Sequence, residues 1–221
     1  MPRTARAAAG DFCYHVINRG NARGEVFHKD GDYQAFVQLI GDANERLPIR
    51  PLAYCLMPNH FHLVLWPHED GDLGRWMQWL LTAHVRRYHK HYGSSGHVWQ
   101  GRFKAFPIEQ DDHLLTVLRY VERNALRAKL VKRAENWRWC SLAGRATGTA
   151  PAWLARGPCD LPRNWLEQVN QALTPGELER LRQSVNRGTP YGAAAWMVKT
   201  AEHLGLEASL RPRGRPRKAK K

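Results

Sequence analysis

Cysteines and long apolar runs are scarce in this sequence, and their scarcity excludes several classes of protein. The chain has only four cysteines and no Cys-x-x-Cys pair, so a structural zinc site is not expected. Its apolar runs have the length of strands and fall far short of a membrane span. The first residues, MPRTARAAAG, lack the apolar core of a signal peptide. We therefore expect reduced cysteines in a cytoplasmic protein that has no membrane partner.

Acidic residues are also in short supply. Only 20 Asp and Glu stand against 34 Lys and Arg, which gives a formal net charge of +14. Seven of the cations lie within residues 211–221, which contain no acid, so the rest of the chain still carries a charge of +7. Because cations that neutralise phosphates release condensed counterions, the composition favours a polyanionic partner such as a nucleic acid.

Two hydrophobic periodicities alternate over the first 130 residues. Strand patterns occur at Phe12–Asn18, Pro51–Met57, His60–Trp66 and Phe103–Ile108. Helical patterns occur at Asp30–Glu45, Leu73–Tyr92 and Asp111–Ala128. The resulting order predicts an α+β fold of the ferredoxin-like, split βαβ type, with a four-stranded antiparallel sheet and two helices on one face. This superfold hosts many functions, so it does not define the chemistry.

After about residue 135, the alternation of strand and helix patterns gives way to helical patterns. Further helices are predicted at 164–173, 175–187 and 192–205. We expect a domain over residues 1–135 that carries the chemistry and a helical C-terminal region over residues 136–210. We expect residues 211–221 to be a disordered basic tail, because they are too charged to pack.

Two histidines, His60 and His62, share one face of a predicted strand, because residues i and i+2 project to the same side. Imidazole is the commonest metal ligand, so the pair is suited to one divalent cation, although two incidental histidines would give the same pattern. Phe61 points to the other face, into the core. A histidine-triad hydrolase would need a histidine where Val64 stands, and a zinc deaminase would need a Pro-Cys-x-x-Cys segment, which is absent.

A second candidate group lies on the predicted helix Asp111–Ala128. Tyr120 and Asn124 are four residues apart and share a helical face. The alternative for Tyr120 is a core aromatic, although the helix has an apolar stripe without it, formed by Leu114, Leu115, Leu118 and Val121. Tyr120 stands among Arg119 and Arg123, and cations near a phenol favour its ionised form. The Asn124 oxygen is a candidate third metal ligand, and such a ligand set suits Mg²⁺ or Mn²⁺.

Three segments resemble, in order and spacing, the tyrosine transposases associated with repetitive extragenic palindromes (REP-associated tyrosine transposases). The segments are PNHFHLVL, GHVWQGRFKAF and LLTVLRYVERNALRAKLV. These transposases are relatives of the single-tyrosine HUH transposases, which move insertion elements through single-stranded DNA. The resemblance covers about residues 12–139 and extends to GTPYGAAAW and LRPRGRPRK near the C-terminus. It implies a metal-binding pair at His60 and His62, the nucleophile at Tyr120 and a third metal-side ligand at Asn124. Ala125 stands where the family usually has proline, which should ease continuation of the helix.

The resemblance also implies a function. The protein is expected to be a metal-dependent single-stranded DNA endonuclease and strand transferase that cuts at REP-like hairpins through a covalent 5′-phosphotyrosine. Its partners would be single-stranded DNA hairpins, and we expect a monomer, with a dimer as the alternative, associated with the bacterial nucleoid. One competing interpretation is a non-catalytic hairpin-binding regulator, and another is a replication initiator or relaxase of the HUH class. The four intact site residues argue against the first, and the absence of a second tyrosine near Tyr120 argues against the second.

Candidate DNA contacts are polar or basic residues close to these motifs: Asn18, Arg19, Arg86, Arg87, Arg102, Lys104, Arg119 and Arg123. For any one of them, a solvated surface side chain is an equally good interpretation. In the tail, Arg213 and Arg215 belong to Arg-Gly-Arg-Pro, which matches the core of an AT-hook that enters a narrow minor groove. An unspecific polybasic tail is the alternative.

Overall fold

The computed structural model of the protein describes residues 9–211. Its centre is an antiparallel sheet with the spatial order β2-β3-β1-β4. The strands are β1 (Cys13–Arg19), β2 (Arg50–Met57), β3 (His60–Trp66) and β4 (Lys104–Ile108). Each differs from its predicted range by at most one residue at either end. The order and the antiparallel pairing confirm the predicted α+β, ferredoxin-like class.

Two long helices cover one face of the sheet, namely α1 (Asp30–Arg46) and α2 (Asp72–Tyr92). They pack against alternate strand residues such as Val16, Phe61 and Leu63, which are almost fully buried. Phe61 is thus directed into the core, as its position between the two histidines predicts. Burial of side chains of this size stabilises the fold by about 1.5–3 kcal/mol each. Helix α2 ends at Gly93, whose φ of 59° lies in the left-handed region that glycine adopts without strain.

The opposite face of the sheet carries α3 (Asp112–Glu122) and α4 (Asn124–Arg127). The single helix predicted for Asp111–Ala128 is wrong, because the chain leaves regular helical geometry at Arg123, with φ −84° and ψ −5°. The Asn124 side chain donates to the Tyr120 carbonyl at 3.4 Å, which is the local competition with backbone hydrogen bonding that asparagine offers inside helices. Alanine at position 125 therefore does not make the helix continuous.

The helical C-terminal region packs around both faces of the sheet. Its helices are α5 (Ser141–Thr147), α6 (Trp165–Asn170), α7 (Pro175–Arg187), α8 (Ala194–His203) and α9 (Glu207–Leu210). The buried Glu122 carboxylate of α3 joins it to the sheet domain by accepting hydrogen bonds from Ser141 (2.5 Å), Arg145 (3.1 Å) and Trp165 (2.7 Å). None of the helices within residues 9–211 has the length and apolar character needed to cross a bilayer.

Candidate active site

The two histidines of β3 lie on the sheet face that α3 covers, with their ring centroids 5.1 Å apart. His60 is opposite Arg19 of β1, and His62 is opposite Ile17. His62 is buried, whereas His60 lies at the partly exposed end of the strand. The pair therefore runs from the rim of the sheet into the interior.

Both rings are uncharged at neutral pH. Burial lowers the pKa of His60 to about 4, with further lowering by Arg19 and Arg127. Burial also holds the pKa of His62 well below its usual range, with additional contributions from His15 and the nearby cations. The nitrogen lone pairs that a metal ion requires are thus available without the loss of a proton. The Nδ1 atom of His60 is 2.6 Å from Asn59 Oδ1, which fixes that ring and leaves Nε2 as the acceptor.

A third histidine, His15 of β1, completes the cluster, and no local pattern in β1 predicts it. Its Nε2 atom lies 2.8 Å from His62 Nδ1, and its ring is fully buried. Within residues 9–211, the buried Nε2 atom of His62 has no hydrogen-bond partner. A buried polar nitrogen without a hydrogen-bond partner lowers the stability of the fold, and a bound cation would remove this loss. The residues at this position therefore fit a divalent metal.

Tyr120 of α3 faces these histidines. Its ring centroid is 5.7 Å from that of His62 and 6.1 Å from that of His15, and the side chain is 6% exposed. The structure thus brings the predicted phenol of the helix and the predicted histidines of the strand together in one site.

Arg127 lies over the Tyr120 ring and holds Asn124. Asn124 is buried, and its Oδ1 accepts a hydrogen bond of 2.7 Å from Arg127 Nη2. The Arg127 guanidinium carbon lies 5.3 Å from the centroid of the Tyr120 ring, and the residue is exposed to solvent. Arg127 was not among the predicted site residues, although its spacing of seven from Tyr120, about two helical turns, is a signal that could have identified it.

Comparison with known proteins decides the family. The profile of the family described as "Transposase IS200 like" matches residues 9–124, which is more than half of the 221 residues. The chain belongs to this family. A protein of Haemophilus influenzae that is assigned by name to the REP-associated tyrosine transposases is 28% identical over 108 residues. That alignment covers 44% of this chain and 61% of the relative, so the chain spans less than two thirds of that protein's length.

A solved structure of another protein has a similar fold. The structure of a REP-associated tyrosine transposase bound to a REP hairpin superposes with a TM-score of 0.56 and 18% identity. The superposition covers 79% of this chain and 99% of the other. At this level of identity, the likeness supports the architecture only.

Arg119 and Arg123, which were predicted to lie near the Tyr120 phenol, have partners elsewhere in the protein. Arg119 Nη2 contacts both carboxylate oxygens of Glu177, at 3.0 and 3.1 Å. Arg123 donates to the backbone carbonyls of Val169, at 3.0 Å, and of Asn170. The expectation that Arg119 and Arg123 activate the phenol or bind DNA is corrected accordingly, because both guanidinium groups hold C-terminal helices against α3. Among residues 9–211, the cation that lies over the Tyr120 ring is Arg127.

Two other predicted DNA contacts also have partners inside the protein. Asn18 is buried, and its amide donates to the Gly101 carbonyl at 3.1 Å, which fixes the segment that precedes β4. Arg87 lies 3.6 Å from the buried carboxylate of Asp32, and it also donates to the Gly31 carbonyl at 3.4 Å. The Asn18 contact is structural and corrects the expectation that this side chain reaches out to DNA. The Arg87 side chain is still 34% exposed, so Arg87 remains a predicted DNA contact.

The remaining predicted contacts line two open cavities. Arg19, Arg102 and Lys104 line a cavity of about 390 Å³ near the end of β1. Arg86 and Arg102 line a larger cleft of about 970 Å³ between α2 and the segment before β4, and no acidic residue lies among the described residues that form it. These four residues remain predicted DNA contacts. Arg213 and Arg215 lie outside the described residues.

A separate group of possible cation ligands lies at the other end of the sheet. Glu109, Asp111 and His113 bring their ligand atoms within 4.8 Å of one another. They follow β4, whose last residue, Ile108, pairs with the first residue of β1, whereas His60 pairs with the last. The six-residue separation along β1 corresponds to roughly 20 Å. This group is therefore distinct from the histidine cluster.

Proposed function

We propose that the protein is a metal-dependent endonuclease and strand transferase that cuts single-stranded DNA at REP-like hairpins through a 5′-phosphotyrosine. The observation that carries the proposal is the position of Tyr120, next to a buried histidine whose free Nε2 atom is suited to a metal. The hairpin substrate rests on the name of the Haemophilus influenzae relative and on the hairpin bound in the solved structure of the same fold.

His60 and His62 would hold the metal, with the Asn124 oxygen as a third ligand. Imidazole and amide oxygen ligands suit Mg²⁺ or Mn²⁺. When bound, such a cation polarises the scissile phosphate and offsets the charge that develops in the transition state. Ligation by Asn124 would require its oxygen to be shared with, or released by, Arg127, which holds it in the structure.

Tyr120 would carry out the covalent step. Its phenolic oxygen attacks the phosphorus and forms a new ester, while the bond from phosphorus to the 3′ oxygen of the preceding nucleotide breaks. The phenol loses its proton, and the departing 3′ oxygen gains one. The products are a 5′-phosphotyrosine and a free 3′-hydroxyl. Because one ester replaces another, a 3′-hydroxyl can reverse the step and join strands.

The chain's cations would bind the DNA strand. Arg127 lies beside the phenol and would neutralise the phosphate that approaches it. Arg19, Arg102 and Lys104 would contact phosphates near the rim histidine, and Arg86 would extend this basic surface along α2. We propose that the protein acts as a monomer on the bacterial nucleoid, with a dimer as the alternative.

The test uses a single-stranded hairpin oligonucleotide labelled at its 3′ end, because the 5′-phosphotyrosine retains the downstream fragment. Incubation with Mn²⁺ followed by a denaturing gel should show a labelled protein adduct. Tyr120→Phe should form no adduct but bind the hairpin as the wild type does, since only a hydroxyl is lost. Tyr88→Phe, on the other side of the sheet, is the matched control and should retain the adduct.

Two outcomes would contradict the proposal. An adduct in Tyr120→Phe would remove Tyr120 as the nucleophile. Hairpin binding without an adduct, in both Mg²⁺ and Mn²⁺, would instead indicate a non-catalytic hairpin-binding regulator.

A further inference from the structure

We infer that His15 is a positioning residue that holds His62 in the tautomer and orientation required for metal binding. The inference rests on the proposed function, since it concerns the same site. His15 lies on β1 and His62 on β3, and the 2.8 Å contact between His15 Nε2 and His62 Nδ1 joins the two strands across their buried face.

The proton arrangement of this contact follows from hydrogen-bond chemistry. Two neutral imidazoles can share a hydrogen bond only if one nitrogen carries the proton and the other supplies the lone pair. A metal bound by His62 would use its unpartnered Nε2, so its proton must lie on Nδ1 and point to His15 Nε2. His15 must then carry its own proton on Nδ1, a buried atom that also has no hydrogen-bond partner within residues 9–211. A neighbour that fixes the second nitrogen of a ligating histidine in this way sets both ring orientation and ligand basicity.

Packing prevents His15 from turning away. Its ring centroid lies 4.9 Å from that of Phe106 on β4 and 6.1 Å from that of Tyr120. His15 therefore fills the space between the strand histidines, the sheet edge and the proposed nucleophile. If it were only a space-filling aromatic ring, phenylalanine would serve equally well at this position, which gives a direct test.

The test compares Mn²⁺ affinity by isothermal titration calorimetry of the full chain without DNA. Every protein compared, including the wild-type reference, carries Asp111→Asn to weaken the separate group of Glu109, Asp111 and His113. His15→Phe preserves the ring but removes the acceptor, and its Mn²⁺ affinity should fall about 10- to 100-fold. His15→Gln places an amide oxygen close to the position of Nε2, so it should recover most of the affinity. The matched control is His84→Phe, a buried histidine that packs on Phe36 and Trp99 on the other face of the sheet, and it should bind Mn²⁺ like the wild type.

A wild-type affinity in a folded His15→Phe variant would overturn the inference and leave the proposed function intact. A wild-type protein that binds no Mn²⁺ would overturn both. If His15→Phe does not fold, NMR of the wild type with ¹⁵N-labelled histidine decides the question. The expected spectrum has the His62 proton on Nδ1, and a proton on Nε2 of His62 would refute the assignment.

Discussion

Replacement of Arg127 by glutamine tests whether its guanidinium contacts the phosphate that Tyr120 would attack. Arg127 is exposed, its guanidinium carbon lies 5.3 Å from the Tyr120 ring centroid, and Nη2 donates to Asn124. A guanidinium has five N–H donors, and this hydrogen bond uses one of them. The others can meet a phosphate oxygen, and charge-assisted hydrogen bonds of this kind are among the stronger ones in proteins.

The size of the effect follows from counterion release. One phosphate contact on a single strand contributes roughly 0.7 to the slope of log affinity against log salt concentration. Between about 50 and about 200 mM salt, the affinity advantage of the wild type over Arg127→Gln should therefore shrink by about 2.6-fold. If the hydrogen bond is made in the transition state, its loss of about 1.5–3 kcal/mol should slow adduct formation by about 10- to 160-fold.

The assay is fluorescence anisotropy with a labelled single-stranded hairpin across this salt range, together with adduct formation at saturating DNA. Arg163→Gln is the control, because it removes the same charge from an exposed loop residue ahead of α6. The control should keep the wild-type rate of adduct formation. The reasoning is refuted if both variants have the same salt slope and the same rate, since Arg127 would then act only through the overall charge.

Two further predictions concern regions outside the site. Burial lowers the pKa of His84 to about 3, so between this value and its ordinary value of about 6.5 the unfolded chain binds a proton that the folded protein lacks. The free energy of unfolding should thus decrease as the pH falls, and His84→Phe should remove about 1.4 kcal/mol per pH unit of that decrease near pH 5, as urea titrations can measure. An unchanged pH slope in this variant would contradict the assignment. Deletion of residues 211–221 removes seven cations and should weaken duplex binding and flatten its salt dependence. An AT-hook predicts a larger loss on A·T-rich than on G·C-rich duplexes, whereas equal losses would indicate an unspecific polybasic tail.

Local sequence patterns were enough to predict most of the strands and helices, and to select His60, His62 and Tyr120 as candidate site residues. Alternation of apolar and polar residues placed β3 at His60–Trp66, and the same alternation put His60 and His62 on one face. The polar neighbours of Tyr120 on the helix make it a candidate, and only the family resemblance implies its role as the nucleophile. Strand alternation and helical neighbours depend on residues no more than a few positions apart, so they can be predicted from the sequence without knowledge of the fold.

The rest of the site depends on contacts between distant segments. His15 meets His62 because β1 pairs with β3 in one particular register, which joins residues 47 positions apart. A shift of that register by one residue would move His15 to the other face of the sheet. No periodicity within β1 distinguishes His15 from an ordinary residue of a buried strand, so the sequence alone could not identify it.

Arg119 and Arg123, which were predicted to contact DNA, also bind partners that are distant in sequence. Their contacts explain how the candidate site is held in place. Arg119 binds Glu177 at a distance of 58 positions, and Arg123 binds the Val169 carbonyl at a distance of 46. Together with Glu122, which accepts from Trp165, these contacts fasten the outer side of α3 to the C-terminal helices. The inner side of α3 holds Tyr120 against His15 and His62. The helix that carries the proposed nucleophile is thus fixed on both sides, and this limits the motion of the phenol relative to the histidines, as attack in line on a phosphate requires. The C-terminal region therefore contributes to the geometry of the site, although it carries none of the proposed catalytic side chains.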